Sequence, residues 1–231
     1  MACAALCAAV ILVTAAVLSL TALPGGSAGR SQAGRTPAAS AGASPSCATS
    51  PGGDLACGEP VISGAGWTRP VPGEVINNFR TARLPNHQGI DLDAARRTVI
   101  RAASAGTVVT ELCNIDGRFY PVDHTPSPCD SDGSPSTGGC GWYMEIRHSG
   151  DIVSRYCHMV TAPTVAVGQI VVTGQPIGLA GTSGNSSAVH LHFEIHRGYP
   201  AGPQNAVDPI PFLADKGVIL APAPAETTVP G

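Results

Sequence analysis

The chain has 231 residues, and its 28 Gly and 21 Pro interrupt it too often for a helical bundle. Charged residues make up 13% and aromatic residues 4%, against a hydrophobic share of 43% that still supplies one buried core. Thirteen basic side chains against sixteen acidic ones leave a net charge of -3, with Lys216 the sole lysine, so no basic stripe exists to meet nucleic acid or anionic lipid.

Residues 2–23 carry no charged side chain and form the one run long enough to cross a bilayer. Together with the residues up to 29 they read as a secretory signal peptide or an N-terminal membrane anchor, and both readings imply export. No Lys or Arg precedes the run, and the first basic residues, Arg30 and Arg35, follow it. Residues 30–60 are a Gly/Ser/Ala/Pro mixture without periodicity, expected to be a flexible tether. Residues 61–220 form one domain, and residues 221–231 have the composition of a frayed tail.

Within the domain, short β-branched runs bounded by Gly or Pro predict strands at 74–79, 89–93, 98–101, 106–112, 142–148, 152–158, 169–172, 176–180 and 190–196. The runs at 142–148 and 152–158 flank Ser149-Gly150-Asp151, a three-residue connection suited to a hairpin. The fold class is therefore all-β. Residues 113–141 break the rhythm with a polar, turn-rich stretch, read as a disulfide-braced surface insertion. Beyond Cys3 and Cys7 of the leader stand Cys47, Cys57, Cys113, Cys129, Cys140 and Cys157, an even number fitting three disulfides in an oxidising compartment. Proximity favours Cys47 with Cys57 and an internal staple within 113–140.

The seven histidines are unevenly spread. On a strand, His190, His192 and Glu194 share one face while Leu191, Phe193 and Ile195 bury the other. His87 and Asp91 stand four apart in an extended segment, with Gly89 between them to admit a close neighbour. Tyr156 and His158 share a side at the end of the predicted hairpin. Each cluster alone arises by chance, but three islands of metal-ligand residue types within one β domain make coincidence the poorer account. A catalytic zinc site takes three protein ligands from His, Asp and Glu and keeps a position open for water, and the surplus histidines suit proton transfer and charge stabilisation. Spacing leaves open which histidine of the His-x-His pair binds metal. His124 and His196 are expected at the surface, His148 is ambiguous, and Asp93 and Glu194 either orient an imidazole or are simply solvated.

At these residues the sequence resembles the lysostaphin-type, or LytM, zinc metallopeptidases, which cut peptides of bacterial peptidoglycan. The matching signatures are His87-x-x-x-Asp91 within NHQGIDL, Tyr156-x-His158 within RYCHM, and His190-x-His192 within VHLHFEI, spread over residues 65–215. The resemblance implies a predominantly antiparallel β fold with one zinc ion in a groove. His87, Asp91 and His192 would be its ligands, and His158 and His190 the catalytic pair that activates water and steadies the oxyanion. It implies a peptidoglycan endopeptidase; with the leader, the expectation is a monomer of the cell wall, secreted or tethered to the outer face of the cytoplasmic membrane, touching membrane only through its N-terminal segment if that segment is uncleaved. The rival is a non-catalytic peptidoglycan-binding module or amidase activator of the same fold. Members commonly carry Phe-Gly-x-Arg ahead of the first ligand, whereas here Arg80 follows Phe79 at the glycine position.

Overall fold

The computed structural model describes residues 58–224 and the backbone of two short strands before them, β1 (Cys47–Thr49) and β2 (Leu55–Cys57). The proposed leader and the end of the tail lie outside the described residues. Among the described residues no helix is long and apolar enough to cross a membrane. β1 and β2 pair antiparallel with Cys47 opposite Cys57, so an ordered ribbon interrupts the segment read as a continuous tether.

The remaining strands are β3 (Val75–Asn77), β4 (Ile90–Asp93), β5 (Val99–Arg101), β6 (Gly106–Ile115), β7 (Arg118–Tyr120), β8 (Gly141–His148), β9 (Ile152–Met159), β10 (Ile170–Val171), β11 (Pro176–Leu179), β12 (His190–Arg197) and β13 (Ala206–Val207). Nine of them form one antiparallel sheet in the order β10-β6-β8-β9-β12-β4-β3, with β7 added to β6 and β13 to β12. β5 and β11 form a separate two-stranded sheet. The all-β expectation is met, and the β8–β9 hairpin closes on the register pair His148 and Ile152 around the predicted three-residue connection.

Alternation along the central strands builds the core. Ile90 and Leu92 of β4, Leu191, Phe193 and Ile195 of β12, Met144 and Ile146 of β8 and Tyr156 of β9 join Ile100 and Ile177 of the small sheet in one buried cluster. Each such side chain contributes about 1.5–3 kcal/mol relative to exposure. Phe212 and Leu213 complete the cluster from α1 (Pro209–Asp215), a helix absent from the sequence-based expectation. Its signal was present: Asp208 caps the N-terminus by accepting from the Ile210 amide, and Pro209 occupies the first turn.

The insertion does more than decorate the surface. Cys113–Cys129 staples it internally, as expected, but Cys140 bonds Cys157 of β9, so its far end is tied to the sheet instead of to itself. The Gly133 amide donates to the Thr182 carbonyl at 2.7 Å, the Asn185 amide to the Gly139 carbonyl at 2.8 Å, and the Trp142 amide to Ser183 Oγ at 2.9 Å. The loop 182–186 is thus braced by the insertion before the chain enters β12. At the other end, residues 221–224 are tied down where fraying was expected, since the Ala223 backbone exchanges two hydrogen bonds with the Asn78 carboxamide.

Candidate active site

β4 and β12 are neighbours in the sheet, with Asp91 in register with His192 and Asp93 with His190. That pairing carries the Asp91 carboxylate and the His-x-His face to the same place, on the side opposite Leu92, Leu191 and Phe193. His87 arrives from the turn before β4. Gly89 makes the approach possible, because a Cβ there would collide with the Phe193 carbonyl. Arg80, in the preceding turn, has φ 42°, the left-handed region that favours glycine. Its guanidinium lies 4.7 Å from the Phe79 ring centroid, a contact glycine could not make.

Three donor atoms converge. His87 Nε2 lies 3.1 Å from Asp91 Oδ1 and 3.0 Å from His192 Nδ1, and His192 Nδ1 lies 2.8 Å from Asp91 Oδ1. A tetrahedral zinc with bonds of about 2.0–2.1 Å needs donors roughly 3.3 Å apart, close to this triangle. The opposite edge of each imidazole is anchored: His87 Nδ1–H donates to the Asn78 carbonyl at 2.8 Å, and His192 Nε2–H to Glu194 Oε1 at 2.9 Å. Asn77 Nδ2 donates to Asp91 Oδ2 at 2.9 Å. With neutral imidazoles, these anchors leave three lone pairs directed at one another, an arrangement a cation relieves.

Charge agrees with that reading. Asp91, Glu145 and Glu194 are buried carboxylates joined to this network, and Arg155 is the guanidinium among them, so two negative charges stand before the histidines are counted. Burial alone would raise the Asp91 carboxyl, but hydrogen bonds from His190, His192 and His87 outweigh it and hold it below the usual carboxylate range. Burial would likewise lower His192, yet Asp91 and Glu194 on its two nitrogens push it up to about 9. A proton on His192 and a divalent cation are alternative ways of answering the same negative field.

Two further imidazoles flank the triangle. His190 Nδ1–H donates to the Ala188 carbonyl at 2.8 Å, leaving Nε2 3.4 Å from Asp91 Oδ1. His158 Nδ1–H donates to the Ser183 carbonyl at 2.7 Å, and its ring centroid lies 4.9 Å from that of His190. His158 has φ 65°, a conformation held by its own amide on the Cys140 carbonyl and by the Cys140–Cys157 bridge beside it. This twist breaks the strand alternation, so Tyr156 does not share a side with His158 as expected. Tyr156 instead packs 5.3 Å from Phe193 in the core and accepts from the Ala103 amide. Burial first, then the nearby His192 and His190, lowers His158 to about 3 and keeps it neutral.

The structure thus brings His87, Asp91, His158, His190 and His192 together. His124 is exposed, as expected, and Asp93 is solvated. His148 is a buried structural residue between the Ala105 carbonyl and Ser154 Oγ. His196 corrects the surface expectation: it is 0% exposed and lies against Glu194. Its signal was the continuation of the two-residue period from 190 through 192 and 194. Arg155, Glu145, Ser183 and the Asn78 carbonyl had no local signal, because only strand pairing and loop closure bring them to the histidines.

The sequence profile of Peptidase family M23 matches residues 130–209, a span containing His158, His190 and His192 but beginning after His87 and Asp91. An uncharacterised lipoprotein of Escherichia coli, YgeR, is 33% identical over 151 residues, 65% of this chain and 48% of that protein. The peptidoglycan DD-endopeptidase ShyA of Vibrio cholerae is 39% identical over 131 residues, 56% of this chain and 25% of that protein. The chain therefore spans less than half the length of these curated relatives. Among solved structures, lysostaphin of Staphylococcus simulans aligns over 69% of this chain and 55% of its own, with 26% identity and a TM-score of 0.47. The matched span and the ordered histidine signatures make this chain similar to the M23, lysostaphin-type peptidases.

Proposed function

We propose that this protein is an exported, zinc-dependent endopeptidase that hydrolyses peptide bonds in bacterial peptidoglycan. The observation that carries the reading is the triangle of His87 Nε2, Asp91 Oδ1 and His192 Nδ1, flanked by two imidazoles outside it. A metal-storage site has no use for that flanking pair. A zinc ion held by the three donors supplies Lewis acidity toward a peptide carbonyl and acidifies water.

The chain's own residues then divide the proton work. His158 and His190 are both anchored through Nδ1–H, which turns Nε2 of each toward the site, that of His190 lying 3.4 Å from Asp91 Oδ1. Either ring can take the proton of the attacking water. The ring that does so gains an Nε2–H and becomes a donor to the developing negative charge or the leaving amine. Burial favours the neutral, accepting state of His158. The substrate class is supported by the peptidoglycan endopeptidase among the relatives, and export by the apolar leader and the cysteine count.

Digestion of purified peptidoglycan followed by mass spectrometry of the muropeptides tests this reading. New peptide termini identify the bond and support a peptidase. Retention on the wall without new termini would replace it with the binding-module reading.

A further inference from the structure

We infer that Arg155 and His196 are positioning residues that grip Glu194 so that His192 presents Nδ1, and not Nε2, to the metal position. The inference rests on the proposal that His87, Asp91 and His192 hold a metal, and it concerns the layer beneath them.

A charge ladder crosses three neighbouring strands. Arg155 of β9 is in register with Glu145 of β8 on one side and with Glu194 of β12 on the other. Arg155 Nε donates to Glu145 Oε1 at 2.8 Å, and Nη1 donates to Glu194 Oε2 at 2.8 Å. Thr110 Oγ1 donates to the second oxygen of Glu145 at 2.6 Å, and Arg155 Nη2 donates to the Ala201 carbonyl at 3.1 Å. His196 Nε2 approaches Glu194 Oε2 from the other side at 2.5 Å, while its Nδ1 faces two acceptors, the Gly202 carbonyl and Asn205 Oδ1, so this geometry has the ring donating from both nitrogens. Glu194 Oε2 is therefore occupied by two donors, and Oε1 is left for His192 Nε2–H alone.

Stability does not call for this arrangement, since a buried ion pair is often no better than well-packed apolar residues of the same volume. What the ladder supplies is direction. A carboxylate accepts on both oxygens, so one group can receive Arg155 and His196 on one side and His192 on the other. A carboxamide cannot: whichever way it turns, its NH2 faces a donor, either the Arg155–His196 pair or His192 Nε2–H. In the second orientation His192 is driven to the other tautomer, whose Nδ1 carries a proton and cannot bind metal.

The test is zinc binding and nitrogen NMR on the full chain, with Glu194→Gln and Arg155→Lys compared with wild type. Affinity is read by competition with a chromophoric chelator, and thermal melting of the zinc-free proteins establishes that each variant folds. Glu194→Gln should weaken zinc binding by about 10–100-fold. It should also abolish the deshielded, slowly exchanging His192 Nε2–H signal of the zinc-loaded wild type. Arg155→Lys keeps the charge but not the fork, and should show a smaller loss in the same direction. Folded variants that bind zinc as tightly as wild type, with that signal intact, would overturn the inference. A wild-type chain that takes up no zinc would instead sink the proposed function beneath it.

Discussion

The two roles proposed for the five convergent residues separate under single substitutions. His87 contributes a donor atom to the triangle, so His87→Ala should lose the metal and with it the activity. His190 lies beside the triangle with Nδ1 on a backbone carbonyl. His190→Ala should therefore keep a stoichiometric metal while cleavage falls by about 10²–10⁴-fold, as checked by metal analysis and peptidoglycan digestion of the same preparation. His148 shows what a histidine does when chemistry is not its task. Burial lowers it to about 4, while the unfolded chain titrates near 6.5. Between those values the unfolded state binds a proton that the folded state refuses, so stability falls as pH drops from about 6.5 toward 4. The loss attributable to this residue is at most about 3 kcal/mol. Denaturant unfolding across that window should give a shallower pH dependence for His148→Gln than for wild type, and parallel curves would contradict this reading of its burial.

At the scale of elements, the site is an outcome of strand pairing. The two-residue period of β12 was legible in the sequence, and so was the opposition of its histidine and apolar faces. That His190 and His192 meet Asp91 depends on the β4–β12 register, which no local pattern encodes. The approach of His87 depends on Gly89, whose missing Cβ lets β4 lie against the Phe193 backbone. Gly89→Ala should cost about 1–3 kcal/mol through overpacking and weaken metal retention by shifting His87, with thermal melting and metal content as the two readouts. The element least legible was the insertion. Its polar composition suggested a surface role, yet 133–142 braces 182–186 and thereby the Ser183 carbonyl that orients His158. The information lies in backbone hydrogen bonds between segments about 45 residues apart, and composition carries no trace of such contacts.

Across the whole molecule, low charge acquires a local explanation. The chain keeps few ionisable groups, but it concentrates Asp91, Glu145, Glu194 and Arg155 in a buried network with histidines that the net charge leaves out. The all-β class, the hairpin and the candidates whose side chains converge, His87, Asp91, His158, His190 and His192, could be read from period, turn residues and motif order. The helix at 209–215, the small strands β7 and β13, and the ladder behind His192 could not, being short or defined only by tertiary contact. In the proposed function, one bound metal makes this chain a peptidoglycan peptidase. The most direct measurement is the rate at which purified chain releases new peptide termini from cross-linked peptidoglycan, before chelation, after exhaustive chelation, and after zinc is restored. The three measurements should give activity, its loss, and its recovery at about one zinc per chain, the stoichiometry of a single three-ligand site. Full activity in the chelated, metal-free protein would contradict it.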